Sequence, residues 1–104
     1  MSDFAASERD VLINSIHFTF DVKDADAAES SLAQLRDASR KEPGVIQYDV
    51  GRSVDSSNTF ALWEVYRDKD ALDAHLASEH FQRLYVNGLK SLIQQRDAAR
   101  VVPI

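Results

Sequence analysis

The chain reads as an α+β domain with its elements in the order β-α-β-β-α-β. Three observations predict this. Residues 11–22, "VLINSIHFTFDV", alternate between faces for much of their length, which is the period of a strand. Residues 24–41 carry apolar groups at helical spacing and stop at Pro43–Gly44. Two more strand-like runs, 45–54 and 59–67, flank a turn cluster, and a second helical stretch follows them.

In the first strand Ile16, Phe18, Phe20 and Val22 share one face, and His17, Thr19 and Asp21 share the other. The first helix is expected to start at Asp24 or Asp26, whose short side chain can satisfy free amide hydrogens. Ala28, Leu32, Leu35 and Ser39 form its buried stripe. Lys41 suits the negative end of the helix dipole. "VIQYDVGRSV" and "TFALWEVYR" make a hairpin across "DSSN", whose side chains bond back to their own backbone. Asp68 caps a helix through "KDALDAHLA", and Ser78 caps a further helical segment, "EHFQRLYVNGLKSLIQQ". The final "ARVVPI" is expected to be a short fourth strand, with Pro103 at its end or edge. This is the ferredoxin-like arrangement, an antiparallel sheet with helices on one face. Phe60, Leu62, Trp63 and Val65 supply apolar groups to both faces of the third strand. The open face therefore calls for a cover, and a second copy closing two sheets into a dimeric α+β barrel is the simple solution.

Composition narrows the function classes. The 104 residues fit one domain, 11–104, preceded by a polar arm, 1–10. There is no cysteine, which excludes a disulfide framework, a thiolate metal site and a cysteine nucleophile. A net charge of −5 with no basic stripe argues against nucleic acid as a partner. No apolar run approaches the ~20 residues needed to span a bilayer. "MSDFAASERD" lacks the basic and apolar regions of a secretory signal, so the cytoplasm is the expected location. The three glycines are isolated, so no phosphate-binding loop for a nucleotide or flavin is present.

The run from Lys41 to Leu84 resembles the antibiotic biosynthesis monooxygenase domain of the dimeric α+β barrel superfamily. "EPG" after the first helix, "WEVY" on the third strand and "AHLASEHF" in the second helical region carry the likeness, with "VK" at 22–23. It extends over about residues 11–104. The resemblance implies a homodimer acting on a small aromatic or oxygenated metabolite. Members of the family oxygenate quinols or aromatic polyketides without metal or flavin, degrade haem, or isomerise a phosphorylated signal molecule. The haem-degrading relatives hold iron through a histidine whose position falls near Leu84 or Tyr85 here, so haem is not expected. No other cofactor is expected either.

The candidate catalytic residues are His75 and Glu64. Carried over from the family, His75 faces the third-strand acid or the cavity rim as an acid/base group, and imidazole chemistry suits that work. The alternative is a helix-packing histidine. Glu64 sits among Leu62, Trp63 and Val65, so it is exposed, paired or functional, because an unpaired buried charge is costly. Glu64 and Tyr66 match the family's acidic-then-aromatic pattern, in which Glu64 would orient His75 and Tyr66 would line the cavity. Trp63 and Tyr48 offer flat apolar surface to an aromatic ligand, or else belong to the core or dimer interface. His17 and His80 complete the candidates for substrate contact. His17 falls near an asparagine of the haem-degrading relatives, whose role does not transfer to it. His80 has the alternative of fixing the turn before Phe81. On a continuous helix His75 and His80 would stand about 140° apart, so no metal pair is expected unless a break at Ser78 realigns them. The readings left open are a cofactor-independent monooxygenase, an isomerase using the same acid/base pair, and a non-catalytic ligand-binding dimer.

Overall fold

The structure, a computed structural model, describes residues 10–104; apart from Asp10, the polar arm lies outside the described residues. Four strands form one antiparallel sheet: β1 (Leu12–Phe20), β2 (Val45–Arg52), β3 (Thr59–Tyr66) and β4 (Ile93–Val101), in the order β2-β3-β1-β4. Helix α1 (Ala25–Ser39) joins β1 to β2, and α2 (Lys69–Leu76) and α3 (Glu79–Phe81) follow β3. The ferredoxin-like α+β order is therefore present, with a divided second helix.

The alternation in β1 does what its period dictates. Ile16, Phe18 and Phe20 are buried beneath the helices, and His17 is exposed on the other face. Ala28, Leu32, Leu35 and Ser39 are all buried along α1, as their spacing predicts. Phe20 meets Phe60 edge to face at 5.7 Å, and Tyr48 and Leu62 close the core between sheet and helix. Each such large apolar side chain contributes about 1.5–3 kcal/mol by leaving water.

Several boundaries differ from the sequence reading. α1 starts at the expected Asp24, which holds its N-cap position without a side-chain cap bond; the capping bond comes one turn earlier, where Asp21 accepts from the Lys23 backbone amide and opens a single 3₁₀ turn, Val22–Asp24, ahead of α1. The long segment after Ser78 is not a continuous helix. It passes from α3 into a π turn (Gln82–Val86) and a 3₁₀ turn (Leu89–Leu92). The Asn87 amide reaches back to the Gln82 carbonyl at 2.9 Å, the longer step of a π turn. The fourth strand begins at Ile93, well before "ARVVPI". "IQQRDAAR" contains good helix formers, but pairing with β1 from Ile13 to Phe20 overrides that local preference.

Two caps set the divided helix. Asp68 accepts from Ala71 N at 2.8 Å, and Ser78 Oγ accepts from Phe81 N at 3.2 Å while donating to the His75 carbonyl at 2.6 Å. The chain thus turns at Ser78 just past His75. Gly44 matters for a neighbouring reason: a Cβ there would collide with Cβ of Ala71, so only glycine lets the loop after α1 lie against α2.

Candidate active site

Pairing across the sheet builds a polar row. Tyr48 on β2 stands opposite Glu64 on β3, Glu64 opposite Asn14 on β1, and Asn14 opposite Arg100 on β4. All four lie on the helix-covered face, where the neighbouring row is Val50, Leu62, Ile16 and Ala98. Glu64 is only 4% exposed. Its Oε1 accepts from the Tyr66 hydroxyl at 2.5 Å, and Arg100 Nε donates to Asn14 Oδ1 at 3.0 Å. Burial raises the Glu64 carboxyl pKa, with the Tyr66 hydrogen bond the foremost opposing influence. Burial and the neighbouring carboxylate keep the Tyr48 and Tyr66 phenols protonated.

His75 comes from the last turn of α2 and is 1% exposed. Its ring packs among Phe81 (5.1 Å), Tyr66 (5.3 Å) and Tyr48 (5.6 Å). Nδ1 lies 2.7 Å from Oε2 of Glu42, and Nε2 is buried without a partner among the described residues. The expected orienting partner, Glu64, is therefore replaced by Glu42. Glu42 is itself pinned: its amide bonds Ser39 O, its carbonyl accepts from Val45 N, and Arg67 grips the adjacent Pro43 carbonyl at 2.7 Å.

A cavity of about 80 Å³ runs between the polar row and the helices. His75, Glu64, Tyr48 and Asn14 line it together with Phe81, Tyr85, Arg96 and Arg100. The sequence-predicted His75, Glu64 and Tyr48 thus meet at one place, with Tyr66 bonded to Glu64 behind them. Trp63 and His17 do not join them. Both sit on the opposite face of the sheet, because their strand parity is opposite to that of Glu64 and Ile16; Trp63 is 42% exposed there. His80 turns away from the cavity wall and places Nε2 2.6 Å from the same Glu42 oxygen. Arg52 and Arg83 pair with acids: Arg52 with Asp26 and Glu29, Arg83 with Glu79.

Sequence reasoning missed Glu42, Asn14, Arg96 and Arg100. Asn14 shares parity with Ile16 and Phe18, a signal strong enough to have placed it on the buried face. Glu42 is a loop residue with no periodic signal, and the arginines depend on the register of a strand whose start was misplaced.

A four-stranded antiparallel sheet with helices on one face, and a buried imidazole and a buried carboxyl lining one cavity, defines an α+β ferredoxin-like protein with a polar pocket between sheet and helices. The profile of the family described as antibiotic biosynthesis monooxygenase matches residues 12–85. "Putative monooxygenase YcnE" of Bacillus subtilis (strain 168) is 34% identical over 71 residues, 68% of this chain and 75% of that one. The crystal structure of PA3566 from Pseudomonas aeruginosa is 30% identical with a TM-score of 0.85, covering 93% of this chain and 97% of that chain. Rv0793 from Mycobacterium tuberculosis shares the fold at 23% identity and a TM-score of 0.82, over 90% and 95% of the two chains. The chain belongs to the antibiotic biosynthesis monooxygenase family. Membership carries a monooxygenase-like function in general outline. Among the described residues no helix is long and apolar enough to cross a membrane.

Proposed function

We propose that the protein is a cofactor-independent monooxygenase of a quinol or hydroxylated aromatic, working as a cytoplasmic homodimer. One observation carries the reading: His75 has one ring nitrogen on a carboxylate and the other buried in the cavity wall with no partner among the described residues. An ionised carboxylate only accepts hydrogen bonds, so Glu42 holds the His75 proton on Nδ1 and leaves the lone pair on Nε2. That nitrogen takes a proton from the bound substrate.

The rest follows from the substrate. The anion passes one electron to O2, the radical pair joins as a peroxide, and the peroxide loses water as His75 returns its proton. For a ring CH2, the sum is CH2 + O2 → C=O + H2O. All four electrons come from the substrate, so no outside reductant is needed. Arg96 and Arg100 in the wall favour the anion. A cavity of about 80 Å³ is small beside the ~300 Å³ of an ordinary ligand pocket. Substrate entry therefore displaces Leu76, Phe81 and Tyr85 of the divided helix, which line it on the helix side.

Oxygen consumption by metal-stripped protein tests this, with a panel of quinols and dihydroxyanthrones beside His75→Ala. Uptake above the autoxidation blank that disappears in the variant supports the reading. Uptake retained in the variant discards His75 as the base. Proton exchange into the substrate without O2 uptake would favour an isomerase instead.

A further inference from the structure

His80 has no part in the chemistry above, yet its position is specific. Its Nε2 lies 2.6 Å from Glu42 Oε2, the same atom that meets His75 Nδ1 at 2.7 Å. These three atoms come from three segments (the loop after α1, the end of α2, and α3) and all lie within 4.8 Å of one another. A continuous helix would hold the two imidazoles about 140° apart. The break capped by Ser78 is what brings them onto one oxygen.

Two imidazole nitrogens and one carboxylate oxygen form a donor set suited to Zn²⁺ and its neighbours. Bonds of about 2.0–2.1 Å in a tetrahedral site set ligand atoms about 3.4 Å apart. The present contacts need to open by less than about 1 Å to admit an ion. The Glu42 and His80 side chains are 16% and 17% exposed, so the cluster is reached from solvent and a water can complete the coordination. The His75 ring is held by Tyr48, Tyr66 and Phe81, which limits the rearrangement to the two outer ligands.

We propose that Glu42, His75 and His80 bind one divalent transition-metal ion of the Zn²⁺ class, and that the ion silences His75 as a base. The second clause rests on the functional reading above; the first does not. A metal on Nδ1 takes that nitrogen's lone pair, so the neutral ring must carry its proton on Nε2. The lone pair offered to substrate is then gone. No net proton is released from the ring, because the proton only changes nitrogen.

The experiment uses the tag-free full chain, stripped with chelator and titrated with Co²⁺ and Zn²⁺. Calorimetry gives the stoichiometry, and the visible bands of Co²⁺ report its coordination. His80→Gln removes one ligand while leaving the Glu42–His75 contact, and circular dichroism confirms that it folds. One ion per chain, weakened at least about tenfold in both His80→Gln and Glu42→Gln, is expected. Binding that ignores His80→Gln, or no binding up to millimolar metal, overturns the site. Nitrogen-15 NMR of the histidines reads the second clause directly. Zn²⁺ should move the His75 proton from Nδ1 to Nε2, and an unchanged tautomer overturns the silencing. Both readouts are free of turnover, so a protein with no oxygen uptake would fail the functional reading while leaving the metal result intact.

Discussion

Glu42 and Glu64 illustrate how two carboxyls on one chain acquire different work from their surroundings. Glu42 sits at the edge of the core and accepts from two imidazoles. Glu42→Gln keeps the shape but can present an N–H to His75, which unlocks the tautomer. Oxygen uptake should fall by about 10²-fold or more, the scale of a lost general base, with little change in melting temperature. Glu64 is buried on a strand, and burial raises its pKa, so the folded chain holds this proton more tightly than the unfolded one. Its contribution is fully present below the unfolded value of about 4.3 and is lost as pH rises through the higher folded value. Glu64→Gln stays neutral throughout. Melting curves from pH 4 to 8 should therefore show wild type losing stability relative to the variant, and a constant difference would refute the shift.

At the scale of elements, the site depends on where helices stop. Ser78 ends α2 one turn past His75 and starts α3, and its hydroxyl bonds both sides of the break. Ser78→Ala should cost about 1 kcal/mol, as caps do, and should separate His80 from Glu42; urea melts and histidine NMR would show both. Gly44 controls the approach of the Glu42 loop to α2. Gly44→Ala must push Ala71 away, with an expected loss of about 1–3 kcal/mol, and a neutral result would mean that the loop yields freely. The helix interior and strand interiors were legible because their periods are local. Their ends in the second half were not, since Ile93 onward is made strand by the exposed edge of β1 rather than by its own residues.

At the scale of the whole molecule, one face of the sheet carries no helix among the described residues. Trp63, Ala61 and His17 lie there beside one another across β3 and β1, with Trp63 42% exposed. A second copy is the expected cover, and Trp63→Glu should shift sedimentation from dimer to monomer, because a charge cannot be buried cheaply against another apolar face. A wild-type monomer at all concentrations would remove the barrel.

What the sequence determined by itself was the order of elements and the burial of their faces. Alternation in 12–20 and helical spacing in 25–39 are properties of neighbouring residues, and burial follows from them by geometry. Glu64 also stands out in the sequence as a carboxylate set among apolar strand residues, Tyr48 as a flat aromatic, and His75 through the family resemblance. Only the tertiary structure decided their partners. Glu42 reaches His75 from 33 residues away, and Arg100 reaches Asn14 from 86 residues away. Contacts at such separations are set by strand order, register and the single-residue fit of Gly44 against Ala71, none of which has a period that a linear chain displays.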